Sequence, residues 1–299
     1  MKTTVLSISL ITSAIFFSFS KPKKPILDLE GMKKAMKSGY AYVPSGFTLV
    51  DKDSVSCQGF FIMKEEVSNF SYREYLFDLK QNNRTEEYKQ ALPDTTKWNT
   101  SSFALSKYVQ YYFSHPAYRQ YPVVNVSKLQ AEKYCEWLTR VWRKNTGNES
   151  INFRLPTRAE FLRAANGSSL DRPYAWNSPY IRKEDGKFQC NFLAIGAGAI
   201  SRDSTGKLVV KNFPMDYLAP GSDFADLTAP VRSFWPNEYG IYNLNGNVSE
   251  MISDGNIAVG GDWNSPGFDI RNQSTKKFTE ANPTVGFRPV MTFIESSTK

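Results

Sequence analysis

The sequence predicts a single loop-rich α+β domain. Three observations predict it: Gly and Pro spread along the whole chain, an apolar content large enough for a packed core, and helical periodicity confined to the part before residue 167. The 299 residues are 41% hydrophobic and 14% aromatic, which is ample to close an interior. Eighteen Gly and 16 Pro, with no repeat of fixed period, argue against a helical bundle or a repeating α/β array. Residues 39–295 are expected to form the domain.

Taken in order, residues 1–20 read as a secretory signal. Lys2 supplies the positive start, Val5 to Phe19 is apolar, and Ser18-Phe19-Ser20 is a small-x-small cleavage site. Export follows, to the periplasm or an outer-membrane-associated place in the cell envelope. The basic run Lys21-Pro22-Lys23-Lys24-Pro25 ends the apolar core at about the length of a signal rather than of a membrane span. Residues 21–38 are expected to be a basic linker with a short amphipathic stretch, Leu27 to Met36. Tyr40 to Pro44 and Gly59 to Met63 read as strands flanking a turn-rich loop. Ser68 caps a helix whose Tyr72, Tyr75, Leu76 and Leu79 fall on one face. Ser127 and Gln130 have capping-box spacing ahead of a stripe of Ala131, Tyr134, Cys135, Leu138, Val141 and Trp142. Thr157 and Glu160 form a second capping box, for a helix ending near Asn166-Gly167. Beyond it lie only short apolar runs among Gly, Pro, Asn and Asp.

Charge and cysteines exclude several functions. The formal charge of +8 is dispersed among 37 basic residues and no nucleic-acid-binding motif accompanies it, so no nucleic-acid partner is expected. Cys57, Cys135 and Cys190 are the three cysteines, too widely spaced for a zinc pattern. Cys135 sits within a helical apolar stripe and reads as core; a Cys57–Cys190 disulfide stays open, because spacing does not decide it. The single histidine, His115, reads as a turn-adjacent structural residue.

Several strings resemble the formylglycine-generating-enzyme-like (sulfatase-modifying-factor) domain. Val43-Pro44-Ser45-Gly46-Phe47 and Phe61 to Asn69 resemble its opening segments. Pro122 to Ser127 with Ala131, Tyr134, Cys135, Trp137 and Leu138 is similar to its central helix, and Arg154 to Phe161 to its "RLPTEAEWE" motif. Thr228-Ala229-Pro230-Val231, Asn237 to Glu250, Gly260 to Asn264 and Gly286-Phe287-Arg288 resemble its closing motifs, all in family order. The resemblance implies the family's α+β fold, a C-type-lectin-like variant. A finer likeness in Leu92 to Trp98 and Tyr111 to Val124 is to the K and J lipoproteins of bacterial gliding motility and type IX secretion.

The family's oxidases bind copper through two cysteines lying between the "GGSW" and "GFR" motifs. Here the interval from Asp262 to Val285 contains no Cys, His or Met, and Cu(I) needs soft ligands. The resemblance without its cysteines implies no catalytic residue and no copper. It implies instead a non-enzymatic envelope structural or assembly protein, a component or accessory of gliding or type IX secretion machinery with envelope proteins as partners. Glycan binding through the lectin-like fold and a copper-dependent oxidase are the alternatives. The family's structural calcium pattern is retained: Asn191, the Phe192 carbonyl, Asp223 and the Ala225 carbonyl for one ion; Asn245, the Gly246 and Val248 carbonyls and Glu250 for another. Oxygen donors of this kind suit Ca²⁺. Arg271, Lys276 and Lys277, beside Trp263, Phe268 and Phe278, are the expected interaction surface along the former substrate groove.

Overall fold

The computed structural model describes residues 29–100, 106–211 and 227–294; the expected signal at 1–20 lies outside them. Among the described residues no helix is long and apolar enough to cross a membrane. Regular structure is mixed, and the strands are at most five residues long.

Four strands form the first sheet: β1 (Tyr40–Val43), β4 (Phe60–Met63), β12 (Val290–Phe293) and β5 (Ile151–Arg154), all antiparallel, in the order β1-β4-β12-β5. The last strand of the chain therefore lies between its beginning and its middle, with Val290 opposite both Ile62 and Arg154. Between β1 and β4 the expected turn-rich loop is a hairpin, β2 (Gly46–Val50) with β3 (Asp53–Cys57), paired over five residues. Its two-residue turn places Asp51 at φ 55, a left-handed conformation that Asp tolerates better than most residues.

Helix α2 (Asn69–Gln81) starts where Ser68 Oγ accepts the Ser71 amide at 3.1 Å. It buries the expected Tyr72, Tyr75, Leu76 and Leu79. Helix α5 (Lys128–Thr146) carries the full capping box of Ser127 and Gln130, and ends at Gly147, φ 68, in the left-handed conformation that glycine adopts freely. Tyr134 stacks on Tyr72, centroids 5.7 Å apart, and packs edge-on against Phe287 at 5.4 Å, so α2, α5 and the "GFR" segment share one aromatic core. Cys135 is buried in that same cluster. Helix α6 (Arg158–Asn166), with the Thr157/Glu160 box, buries Phe161 and Leu162 against Ile62, Leu244 and Val290. Between α2 and α5 lie α3 (Thr85–Ala91) and α4 (Ser106–Tyr111), too short to announce themselves by periodicity. His115 caps a 3-10 turn at Pro116–Tyr118, its Nδ1 accepting the Ala117 amide at 3.2 Å.

The basic-linker assignment for 21–38 needs correction at its end. Residues Leu29–Met36 form helix α1, whose Met32 and Met36, one turn apart, are buried in the core with Tyr72 and Leu138. Two buried methionines dock the segment onto the domain, so the folded unit begins before Gly39.

After α6 come the hairpin β6 (Ile200–Arg202) with β7 (Leu208–Val210) and the second sheet. That sheet joins β8 (Ser249–Met251), β9 (Ile257–Val259), β10 (Thr275–Lys277) and β11 (Val285–Gly286) in the order β10-β9-β8-β11. Its strands are two or three residues long. Buried side-chain hydrogen bonds supply the order that such short ladders do not.

Candidate functional site

The 243–250 loop is shaped by left-handed backbone at Asn243, Gly246 and Asn247 (φ 54, 74 and 63). At Gly246 a Cβ would run into the Asn191 carbonyl, so the residue must be glycine for packing as well as for φ. The loop's asparagines then reach in different directions. Asn245 Oδ1 accepts the Ala175 amide at 2.7 Å, and its Nδ2 donates to Ile270 O and Asn272 Oδ1 at 2.8 and 2.9 Å. Asn272 passes the chain on to Asn166 at 2.8 Å, and Asn166 to Thr48 at 3.1 Å. Asn247 Oδ1 accepts the Ala229 amide, while its Nδ2 donates to Glu66 at 2.8 Å.

Beneath the loop lies a charged cluster that is entirely buried. Arg288 binds both oxygens of Glu250 at 2.6–3.0 Å and donates to the Met63 and Tyr242 carbonyls at 3.0 and 2.7 Å. Arg288, Glu250 and Glu66 are each no more than 1% exposed. Burial, with the neighbouring Glu250 charge adding to it and Arg288 opposing, pushes the Glu66 carboxyl up to about 8. Beside the Arg288–Glu250 pair, Glu66 accepts from Asn243 Nδ2 and Asn247 Nδ2 at 3.2 and 2.8 Å.

The cluster bears directly on the expected calcium sites. Glu250 spends both oxygens on Arg288, and a calcium ion there would have to displace a buried guanidinium of like charge, so the second donor set does not fit the ion. Asn245, its expected partner, uses both Nδ2 hydrogens and accepts the Ala175 amide at Oδ1 in the separate asparagine chain. In the first set Asn191 Nδ2 donates to Leu227 O at 2.6 Å and Phe192 is described, whereas Asp223 and Ala225 lie outside the described residues.

The interval from Asp262 to Val285 is held by polar locks. Buried Asp262 accepts from Ser249 Oγ and Lys276 Nζ at 2.9 and 2.8 Å, and Lys276 also donates to Thr284 Oγ1 at 2.7 Å. Lys276, expected at the interaction surface, pairs its ammonium with buried Asp262 while its side chain stays 40% exposed. Trp263 and Phe278 are core, 8% and 7% exposed. Lys277 is exposed on β10, and Arg271 and Phe268 line a groove.

That groove has a volume of about 710 Å³. One wall is the aromatic segment Tyr174 to Phe192, where Tyr174 and Trp176 stack in parallel at 4.7 Å and Tyr180 is 71% exposed. The other is Gly267, Phe268 and Arg271, and the β6–β7 hairpin closes an end through Ile200 and Leu208. Arg182 lies over the Phe188 ring at 3.6 Å. Neither this aromatic wall nor Glu66 stood out in the sequence; the Tyr and Trp density between 174 and 180 was the available signal. A second cavity, about 840 Å³, lies between β3 and α6. Its charges are already satisfied: Arg154 by Glu160, Arg158 by Asp51, and Asp254 by the Arg158 amide.

The three cysteines are free and buried, so no Cys57–Cys190 disulfide forms. Cys135 lies in the main core, Cys190 beside Phe192 and Ile270, and Cys57 at the end of β3. Burial pushes the thiol pKa of all three upward, away from the thiolate form that metals and nucleophilic chemistry use.

A sulfatase-modifying factor enzyme 1-like domain model matches residues 30–293. The formylglycine-generating enzyme of Streptomyces coelicolor is 33% identical over 134 residues, covering 45% of this chain and 32% of that protein. The inactive C-alpha-formylglycine-generating enzyme 2 of Bos taurus is 30% identical over 135 residues, covering 45% and 33%. The matched stretch thus spans about a third of either relative. Among solved structures, CarF (TM-score 0.52, 19% identity, 86% of this chain and 98% of that one) and PvdO from Pseudomonas aeruginosa (0.52, 19%, 84% and 93%) share the fold. By the family model, which spans nearly the whole described structure, the chain belongs to the sulfatase-modifying-factor (formylglycine-generating-enzyme-like) family.

Proposed function

We propose that this protein is a non-catalytic member of its family, using the groove between Tyr174–Phe192 and Gly267–Arg271 to hold a segment of a partner polypeptide. The observation that carries the reading is the pairing of an open, aromatic-walled groove with a bordering interval, Asp262 to Val285, that contains no Cys, His or Met. The groove offers room for a segment of another chain, and the interval beside it offers no soft ligand. The buried, protonated thiols elsewhere do not substitute for them, since Cu(I) needs converging soft donors. A relative named as an inactive formylglycine-generating enzyme supports loss of turnover on this fold.

The signal-like residues 1–20 and the likeness around Asp94 and Tyr118 support placement in the cell envelope, with gliding or type IX secretion machinery as the context. The calcium reading is retained for the first donor set alone, Asn191, Phe192, Asp223 and Ala225. The test of the binding role is recovery of envelope partners with tagged native protein, wild type and Arg271→Glu. Selective loss with an unchanged melting temperature supports the groove as the binding face; unchanged recovery removes it.

A further inference from the structure

The groove's charge is one-sided. Among its described lining residues Arg182 and Arg271 are the charged ones, and there is no carboxylate. Arg182 is partly committed, donating to Gly186 O at 3.0 Å while stacked on Phe188. Arg271 is exposed and makes no side-chain hydrogen bond or ion pair with any described residue, in contrast to Lys276 five positions on. Around the two guanidinium groups the walls are apolar.

We infer that the groove selects a polypeptide segment carrying an acidic side chain next to an aromatic or aliphatic one, the carboxylate pairing with Arg271 and the apolar group seating on the wall formed by Phe192, Phe268 and Ile200. This rests on the groove being a polypeptide site, as proposed above. Physical reasons favour it over the alternatives. A guanidinium binds a carboxylate in paired, planar hydrogen bonds, and the apolar wall beside it adds a seat for a neighbouring apolar side chain. A cationic segment, such as an Arg-bearing Cys-x-Pro-x-Arg peptide, meets two like charges there and is disfavoured. An acidic polysaccharide matches the charge but finds aliphatic walls where its hydroxyls need polar partners.

The test is selection of a phage-displayed random octapeptide library on the full chain, wild type and Arg271→Glu, with an unrelated basic protein as control. Recovered peptides are then resynthesised and titrated by fluorescence anisotropy, each beside its Asp→Asn or Glu→Gln analogue. The expected result is enrichment of Asp and Glu next to apolar residues, with affinity falling about tenfold or more on either Arg271→Glu or peptide neutralisation. Arg271→Gln should give an intermediate loss. Peptides that bind without acidic bias, or whose affinity ignores Arg271, overturn the charge inference and leave the polypeptide groove standing. No enrichment above the control protein overturns both. Arg271-dependent binding of polygalacturonate in place of peptides assigns the groove to an anionic glycan and overturns the polypeptide reading. Matching melting temperatures of the variants and wild type keep each outcome interpretable.

Discussion

Replacing Arg288 with Met removes the guanidinium that pairs with buried Glu250. Glu250 loses all its guanidinium contacts, and the Met63 and Tyr242 carbonyls lose their donor. Breaking a buried ion pair from one side costs about 3–5 kcal/mol, because the remaining charge has no partner. The two orphaned carbonyls each add about 1 kcal/mol. The expected loss is therefore about 5–7 kcal/mol, comparable with the whole stability of an ordinary domain, about 5–15 kcal/mol. Arg288→Met/Glu250→Gln should recover at least about 2 kcal/mol of it, since the stranded charge is then gone. Urea unfolding followed by tryptophan fluorescence measures both, with and without chelator. An Arg288→Met cost below about 1 kcal/mol, or strict additivity in the double mutant, would refute the coupled cluster. A chelator-sensitive loss in Glu250→Gln would restore Glu250 to a calcium site.

Further predictions concern the same core and the proposed calcium site. Because the Glu66 pKa is raised from 4.5 to about 8 by burial, its stabilising contribution is full below pH 4.5 and is lost as pH rises to about 8, at up to about 1.4 kcal/mol per pH unit. The stability difference between wild type and Glu66→Gln should fall over that window and level off above it; a flat difference would show that Glu66 titrates normally. Gly246→Ala should cost more than about 1 kcal/mol, from φ 74 and collision with the Asn191 carbonyl, and a neutral result in the same assay would contradict the loop geometry. Chelation should lower the melting temperature of wild type but not of Asp223→Ala, and equal behaviour of the two would end the calcium proposal for the first donor set.

Much of the frame was legible in the sequence because its signals are local. Ser68, Ser127 and Thr157 each cap the helix expected of them, and the apolar faces that follow are buried. The β2–β3 hairpin was hidden because Phe47 is exposed and the alternation is weak. Helix α1 falls within the amphipathic stretch expected at Leu27 to Met36; the docking of its Met32 and Met36 into the domain core was not legible, because their partners are distant in sequence. Within the site, Arg288 and Glu250 were visible as motif letters, but their pairing spans 38 residues and no spacing rule connects them. Lys276 shows the same limit from the other side: as one of two adjacent lysines it reads as interaction surface, and only the fold brings Asp262 to it. Long-range polar partners decide this molecule's centre, and they are set by topology.

The claim that the groove binds without turning over is tested most directly by incubating the full chain with Cu(I), oxygen and a Cys-x-Pro-x-Arg peptide and following the peptide by mass spectrometry, beside an active formylglycine-generating enzyme. The account predicts an unchanged cysteine peptide with this protein while the active enzyme converts it. Copper-dependent appearance of the aldehyde, lost on removal of any of Cys57, Cys135 or Cys190, would contradict it.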